Sequence, residues 1–226
     1  MELFFTKAFE SLECKEELYK SLIMNMEGEE AARIRSEYYS KKFKSCGKGL
    51  FIGVGVRITN PENISVGDNV VICDDVTLIA RGRDSRINIG NDTVITQRVY
   101  IDTEHEDSVI NIGNNVYIGT GTSLFGHVGL DIGDHSLLAQ NISLTPYSHK
   151  FEDPDRPIID QGGNTRKVTI GRDCYIGMNV TILYSADIGD GSVVGSGAVV
   201  VKPLPPFSVA VGNPARIIRK RGELKK

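Results

Sequence analysis

The feature that most constrains the fold of this 226-residue chain is an aliphatic residue at every sixth position. This step does not match the 3.6-residue period of an α-helix, but it equals three strand periods, so it predicts short strands joined by tight corners. Glycine often follows the first aliphatic of a group of three, and Asn or Asp often follows the glycine, as corners with unusual backbone angles require. Three hexads make a coil of about 18 residues, and stacked coils form a parallel β-helix. The aliphatic positions are Ile52, Ile58, Ile64, Val66, Ile72, Leu78, Ile89, Ile95, Ile101, Ile112, Ile118, Leu124, Ile132, Leu138, Leu144, Ile170, Ile176, Ile182, Ile188, Val194 and Val200.

Extra residues interrupt this repeat after the third aliphatic of a coil. The longest insertion separates Leu144 from Ile170, contains His149, and carries three prolines that restrict its backbone. Because the insertions emerge along one edge of the prism, we expect the binding face there. A long insertion in a regular scaffold is usually functional, so His149 is the candidate catalytic residue.

The two ends of the chain differ from the repeat. Helical spacing predicts one helix around Phe4–Met24 and another around Glu29–Phe43. A helical segment there would cover the open first coil, with a part in acceptor binding as the alternative, and the tail would close the last coil. The predicted units are an N-terminal helical cap of residues 1–47, a β-helix of residues 48–207 with an active-site loop at 145–167, and a tail of residues 208–226.

Charge and composition disfavour several classes of function. The net charge of -3 and the lack of a basic stripe disfavour nucleic-acid binding. Neither an export signal nor an apolar run long enough to cross a bilayer is evident, so we expect a soluble cytoplasmic protein without membrane insertion. The four cysteines (Cys14, Cys46, Cys73 and Cys174) form no Cys-x-x-Cys pair and are interpreted as reduced thiols.

Residues 52–221 resemble the hexapeptide-repeat acyltransferases, particularly the galactoside and maltose O-acetyltransferase type and the polysaccharide type. The resemblance rests on the repeat, on His149 five residues beyond Leu144, and on the ending Val211-Gly-Asn-Pro-Ala-Arg-Ile-Ile-Arg219. It implies a mainly β fold, a left-handed parallel β-helix with an N-terminal helical segment and an extruded loop. It also implies a homotrimer with active sites between subunits, acetyl-CoA as acyl donor, and no metal.

The same resemblance implies roles for individual residues. His149 would act as general base, taking the acceptor's proton as its oxygen attacks the thioester, and a backbone N–H near Met178 would stabilise the oxyanion. Asn141, Asp153 or a backbone carbonyl could orient the His149 ring. The positions that match CoA contacts of the family are Tyr175, Ser196, Lys202, Arg216 and Arg219.

The acceptor site departs from the galactoside pattern. Gly119 stands where that type has an acceptor-binding Asn, and His127 stands where it has an Asp. We therefore assign acceptor binding to His127 and Asn141 without naming the acceptor. His105 is interpreted as a residue of a solvated loop and His135 as an outward-pointing corner residue.

Three alternatives accompany the leading hypothesis of acetyl transfer to a hydroxyl of a sugar or saccharide, in surface-polysaccharide assembly. The nearest is N-acetylation of a nucleotide-linked amino sugar or a small-molecule drug. A zinc carbonic anhydrase on the same helix would need a closely spaced pair among three histidines, and successive histidines here are 22, 8 and 14 residues apart. The last alternative is a non-enzymatic oligomeric scaffold.

Overall fold

The parallel β-helix predicted from the hexad repeat is confirmed by the computed structural model, which describes residues 12–223. Two helices precede it, α1 (Leu12–Asn25) and α2 (Glu29–Ser40). The part of the predicted first helix that precedes residue 12 lies outside the described residues. Short 3₁₀ helices occupy Pro61–Asn63 and Ile158–Gln161.

The coils build three parallel faces, here called sheets A, B and C, which the chain visits in that order in each turn. Sheet A consists of Ser45–Cys46, Ile64–Val66, Arg86–Ile89, Val109–Ile112, Leu130–Ile132 and Val168–Ile170. Sheet B consists of Phe51–Ile52, Val71–Ile72, Val94–Ile95, Tyr117–Ile118, Leu137–Leu138, Tyr175–Ile176, Val193–Val194, Ser208–Val211 and Arg216–Lys220. Sheet C consists of Arg57–Thr59, Thr77–Ile79, Tyr100–Asp102, Ser123–Phe125, Ser143–Leu144, Thr181–Ile182 and Val199–Val200.

The core is a set of aliphatic columns inside the prism. In sheet B, Ile72 pairs with Ile95, Ile95 with Ile118, and Ile118 with Leu138, and all four side chains are fully buried. Neighbouring residues point outward because side chains alternate along a strand. Burying one such side chain contributes about 1.5–3 kcal/mol, so the repeated columns account for much of the apolar stabilisation.

Side-chain oxygens support the corners of the prism, as Asp74 shows between sheets B and C and a ladder of Asp and Asn residues shows between sheets A and B. Asp74 Oδ1 accepts the Val54 N–H at 2.8 Å, and its carboxylate lies where a Cβ on Gly53 would be, at 2.3 Å. Glycine is therefore required at position 53 by the close approach of the next coil. Asp68, Asn91, Asn114, Asp134 and Asp190 accept backbone N–H groups of the preceding coil in the same way.

Helix α2 attaches to the first coil through a buried arginine. Arg35 is 1% exposed and donates to the carbonyl oxygens of Ile52 at 3.0 Å, Ile23 at 2.9 Å and Met26 at 2.5 Å. Burial lowers the pKa of this guanidinium, and the negative charge of Asp74 partly offsets the effect. Ser36 Oγ accepts the Ile52 N–H at 3.0 Å, so both helix residues satisfy backbone groups at the open end of the prism.

The edge between sheet C and the next strand of sheet A carries the insertions, as the sequence spacing predicts. We call it the insertion edge, and it comprises residues 80–85, 103–108, 126–129 and 145–167. Its last segment is an extruded hairpin in which Tyr147–His149 pairs antiparallel with Gly163–Thr165. Beyond this hairpin the loop exposes three large apolar side chains, Phe151, Ile158 and Ile159.

The tail continues sheet B. Ser208–Val211 pairs in parallel with Val193–Val194, and Arg216–Lys220 then pairs antiparallel with Ser208–Val211. Arg221 donates to the carboxylate of Asp173 at 2.8 Å, which ties the end of the tail to a corner of the prism.

Three described cysteines, Cys46, Cys73 and Cys174, are free thiols, and burial raises the pKa of each. The thiolate is the reactive form, so a raised pKa makes these thiols poor nucleophiles at neutral pH. The side chain of Cys14 lies outside the described residues. Between residues 12 and 223, none of the helices combines the length and the apolar character needed to cross a membrane.

Candidate active site

Four aromatic rings from three successive coils form a column along the insertion edge, which we call the ring column: His105, His127, Tyr147 and His149. The ring centroids of His105 and His127 are 5.6 Å apart, and those of His127 and Tyr147 are 4.9 Å apart in a stacked arrangement. Tyr147 meets His149 edge to face at 4.7 Å. Because each coil places its insertion directly above the previous one, residues far apart in sequence come together here.

His149 lies on the exposed strand of the extruded hairpin. Its Nδ1 is 3.2 Å from the hydroxyl oxygen of Tyr147, which leaves Nε2 as the nitrogen that can face an acceptor. The two side chains expected to orient the ring are engaged elsewhere: Asp153 Oδ1 accepts the Asp155 N–H at 3.0 Å, and Asn141 donates to Asn179 Oδ1 at 3.2 Å.

His127 contacts the carboxylate of Glu104 through Nε2. Burial, reinforced by the charge of His105, lowers the pKa of His127, although Asp102 acts in the opposite direction. Burial, with the nearby charge of Asp102, raises the pKa of Glu104. Both directions disfavour a charged pair at this contact. The buried Nδ1 of His127 has no partner among the described residues.

Asp102 anchors this part of the edge although its side chain is fully buried. Its carboxylate accepts Arg81 Nε at 2.8 Å, the Tyr100 hydroxyl at 2.7 Å and the Glu104 N–H at 2.8 Å. Burial alone would raise the pKa of Asp102, but these hydrogen bonds outweigh it and hold the pKa below its usual range. Glu104 is therefore fixed at its backbone, directly beside His127.

Three further predicted residues lie on another edge, between sheets B and C. The Met178 N–H, expected to stabilise the oxyanion, donates to Ser196 Oγ at 3.2 Å, so this donor has a partner within its own chain. Asn141 occupies the equivalent corner one coil earlier, with φ at 57°. The structure thus brings Met178, Ser196 and Asn141 to one edge and His127 with His149 to another.

Three of the remaining predicted CoA contacts lie on sheet B, away from the insertion edge that carries His149. Tyr175 points outward from sheet B and is 43% exposed. Arg216 and Arg219 lie on the strand that the tail adds to sheet B, and Lys202 follows the last strand of sheet C. Lys202 therefore lies at a corner between sheets C and A, as the residues of the insertion edge do, because Leu204 continues sheet A. A single chain displays the proposed base on the insertion edge and the proposed CoA contacts other than Lys202 on different sides of the prism.

A groove of about 820 Å³ runs along the outside of sheet A, away from the ring column. Its floor contains Asn88, Asn111 and Asp131, which hydrogen-bond to one another at 2.8 Å per contact. These groups already satisfy each other, and no imidazole lines the groove, so its size does not make it the reactive site. Within residues 12–223, no group of three or more His, Cys, Asp or Glu side chains is arranged to hold a metal ion.

Sequence reasoning missed Tyr147, Glu104 and Asp102 as parts of this edge, and it interpreted His105 as a solvated loop residue. One signal was present: His105, His127 and His149 are each separated by 22 residues, about one coil in this part of the chain. Tyr147 gives no comparable signal, because only the hairpin and the coil register bring its ring between two histidines.

Two families of repeats match the chain. Residues 167–202 match "Bacterial transferase hexapeptide (six repeats)", and residues 109–146 match "Hexapeptide repeat of succinyl-transferase". These segments contain the strands that bear Ile118, Leu138 and Ile176. The chain therefore contains hexapeptide repeats similar to those of bacterial transferases.

Its curated relatives include a probable acetyltransferase of Mycobacterium tuberculosis, 37% identical over 106 residues, which are 47% of this chain and 35% of the relative. Another is the galactoside O-acetyltransferase of Escherichia coli, 35% identical over 108 residues, which are 47% of this chain and 51% of the relative. The matches thus span about a third to a half of the length of these relatives.

Solved structures share the fold of the hexapeptide-repeat chain over most of its length. AntD, an N-acyltransferase from Bacillus cereus in complex with dTDP and 3-hydroxybutyryl-CoA, superposes with a TM-score of 0.59 and 25% identity over 83% of this chain and 88% of AntD. A UDP-N-acetylglucosamine acyltransferase from Campylobacter jejuni has a TM-score of 0.62 and 20% identity over 78% of this chain and 63% of that one.

Proposed function

We propose that this protein is an acetyl-CoA-dependent acetyltransferase that moves an acetyl group to a hydroxyl of a saccharide, with His149 as general base. The observation that carries the proposal is the exposed imidazole of His149, extruded on a hairpin from a hexapeptide-repeat scaffold and held at Nδ1 by Tyr147. The relatives named acetyltransferases, one of them a galactoside O-acetyltransferase, support the reaction class and the saccharide acceptor.

The proposed reaction is a direct transfer within a complex of enzyme, donor and acceptor. Nε2 of His149 takes the proton of the acceptor hydroxyl as its oxygen attacks the thioester carbonyl. The resulting oxyanion collapses, the carbon–sulfur bond breaks, and the CoA thiolate receives the proton from His149. General-base assistance of this kind is worth roughly 10² to 10⁴ in rate.

The oxyanion would be stabilised by the backbone N–H of Met178, which must exchange its Ser196 partner for the substrate. Removing one such donor typically costs about 10² to 10³ in turnover. His127 and Asn141 remain the proposed acceptor contacts. The cations Lys202, Arg216 and Arg219 suit the phosphates of CoA, with Tyr175 and Ser196 beside them.

We further propose a homotrimer whose sites form between subunits. Within one chain His149 is on a different side of the prism from Tyr175, Arg216 and Arg219, so a neighbouring chain is needed to bring them together. The outer side of sheet B supports this, because it presents a column of exposed apolar side chains that a partner would cover. The column includes Phe51, Tyr117, Leu137 and Tyr175.

The decisive experiment measures thiol release from acetyl-CoA with a panel of free sugars, nucleotide sugars and amino sugars. His149→Ala should lower turnover by 10² or more while CoA binding persists. His135→Ala is the matched control, because His135 is an exposed corner histidine on a different edge. Full turnover by His149→Ala on a genuine acceptor would reject His149 as the base and make His127 the next candidate.

Sedimentation equilibrium of the wild-type protein tests the oligomer. A trimer that Tyr117→Glu converts to monomers, with loss of CoA binding, is expected from a site shared between chains. A monomer with full turnover would contradict the shared site.

Acyl transfer to an amine of a nucleotide-linked sugar is the second candidate, and it extends to a small-molecule drug as acceptor. The likeness to AntD over 83% of this chain favours it. Hydroxylamine treatment of the product separates the two, because an ester is cleaved and an amide is not. Failure of an intact oligomer to bind acetyl-CoA would instead indicate the non-enzymatic scaffold.

Either acetylation would place the protein in the cytoplasm, where acetyl-CoA is available. The saccharide acceptor would suit polysaccharide assembly.

A further inference from the structure

We propose that Tyr147 is the positioning residue of His149: its hydroxyl oxygen accepts the Nδ1–H of His149 and thereby leaves Nε2 unprotonated toward the acceptor. The catalytic consequence rests on the proposed acetyl transfer. The tautomer itself can be measured on the resting protein, so the two proposals fail independently.

The hairpin places the two side chains on one face. Tyr147 and His149 are two residues apart on one strand, so their side chains point the same way. The distance from Nδ1 to the tyrosine hydroxyl is 3.2 Å, within hydrogen-bond range, and the rings meet edge to face at 87°. The opposite strand pairs Thr165 with Tyr147 and Gly163 with His149, which fixes the backbone of both residues.

The tyrosine ring is packed against Gly163. A Cβ built on Gly163 would lie 2.2 Å from Cζ of Tyr147 and 2.3 Å from its hydroxyl oxygen. Contacts this short do not occur, so any side chain at position 163 would displace the ring. The absence of a side chain at this one position is what allows the tyrosine hydroxyl to reach His149.

The other side of the tyrosine ring is held by His127. The two rings stack at 4.9 Å with an interplanar angle of 21°. His127 is fixed in turn by the contact of its Nε2 with Glu104, whose backbone N–H is bound by the buried Asp102. Tyr147 thus lies between Gly163 and His127, and its hydroxyl is directed at His149.

The chemistry requires this arrangement of protons. A neutral imidazole has one N–H and one lone pair, and the hydrogen bond made by one nitrogen sets the state of the other. A general base that works through Nε2 must carry its proton on Nδ1, and this proton needs an acceptor. The Tyr147 oxygen supplies this acceptor and also holds the His149 ring against rotation. A general base misplaced by about 1 Å can lower the reaction rate by about 10²-fold.

Nitrogen-15 NMR of the wild-type protein, recorded at a pH where His149 is neutral, reads the tautomer directly. His149→Gln identifies the His149 signals among those of the four histidines. We expect the Nδ1–H form in the wild type. An Nε2–H form in the wild type would overturn the proposal without any further variant.

Tyr147→Phe removes the hydroxyl and keeps the ring that stacks on His127. We expect loss of the Nδ1–H preference and a fall in kcat of roughly 10-fold, with the KM for acetyl-CoA unchanged. Gly163→Ala should reproduce both effects by displacing the ring. Tyr19→Phe, on the exposed side of α1, controls for loss of a tyrosine hydroxyl and should change neither.

The outcomes distinguish the positioning role of Tyr147 from the general-base role of His149. An unchanged tautomer and an unchanged kcat in Tyr147→Phe would overturn the positioning role. If Tyr147→Phe alters the tautomer while His149→Ala retains full turnover, the positioning role stands and the general-base assignment fails. A folded Gly163→Ala variant could also keep the stack of Tyr147 on His127 and the Nδ1–H form of His149 and yet be inactive. That result would count against the proposal.

Discussion

The interior of the prism and its insertion edge belong to the same coils but differ in which residues they stack. Inside, Ile118 and Leu124 stand in columns of like residues, and their side chains are fully buried. On the insertion edge the stacked residues differ from coil to coil, and the hairpin leaves His149 exposed. The interior therefore tolerates little chemical variety, whereas the edge can carry titratable groups without disturbing the column beneath it.

This difference predicts that stability and activity respond to separate sets of substitutions. A change in the interior should lower the free energy of unfolding and leave the turnover of the folded protein intact. A change in the ring column should lower turnover and leave the free energy of unfolding nearly unchanged at neutral pH. Substitutions at Leu124, Arg35, His127 and Glu30 test that separation.

Leu124→Ala should give the largest loss of stability, about 2–5 kcal/mol, because it leaves a cavity between Ile101 and Leu144 in its column. Urea unfolding monitored by circular dichroism measures the change. Val128→Ala is the matched control on the insertion edge, where the side chain is 47% exposed, and it should cost less than about 0.5 kcal/mol. Equal losses from the two variants would refute the distinction.

Arg35→Met tests whether a buried polar side chain contributes to the free energy of unfolding as the interior aliphatic side chains do. It would leave the carbonyl oxygens of Ile52, Ile23 and Met26 without their donor. We expect a loss of about 2–3 kcal/mol in the same unfolding experiment, because unsatisfied buried acceptors are costly. Lys15→Met, at an exposed cation on α1, provides the comparison. A neutral result at position 35 would mean that water replaces the guanidinium.

His127 should make the stability of the protein depend on pH. Burial lowers its pKa below 6.5, so the folded state favours the neutral ring. Its contribution to stability is complete above the ordinary pKa and is lost as pH falls from there through the folded pKa.

The measurement compares the thermal midpoints of the wild type and His127→Phe between neutral and mildly acidic pH. The wild type should lose more stability on acidification, because Phe keeps the stack on Tyr147 without a titrating group. The raised pKa of Glu104 works in the opposite direction at lower pH, so the difference between the two proteins is the informative quantity. Parallel curves would show that the ring column does not titrate with folding.

Glu30→Gln should have the smallest effect. Glu30 pairs with Arg33 at 2.9 Å on the surface of α2, where both side chains are largely exposed. Such pairs contribute about 0.3–0.5 kcal/mol or less and weaken with salt. Urea unfolding at low and high ionic strength checks this, and a loss comparable to that of Arg35→Met would show that the cap depends on surface charge.

Several elements of the fold were predictable because their causes are local. The six-residue step fixes which side chains turn inward, and Gly67 followed by Asp68 marks a corner by its residue types. The position of the insertions also followed from spacing, and it placed His149 on the insertion edge. These features depend on strand alternation and on corner geometry within a single coil.

The candidate site was only partly predictable because its contacts join different coils. The Met178 N–H finds Ser196 one coil later, and Tyr147 reaches the space between His127 and Gly163 through the hairpin. Neither contact has a signature within its own hexad, since both depend on register between segments.

The coil, its inward columns, the insertion edge and the histidine on that edge therefore follow from the amino-acid sequence, because a period of six residues reflects the geometry of one strand and one corner. The tertiary structure alone decided which groups surround that histidine. The lengths of successive insertions set the stacking of the edge, and this stacking joined Glu104, His127, Tyr147 and His149 into one arrangement.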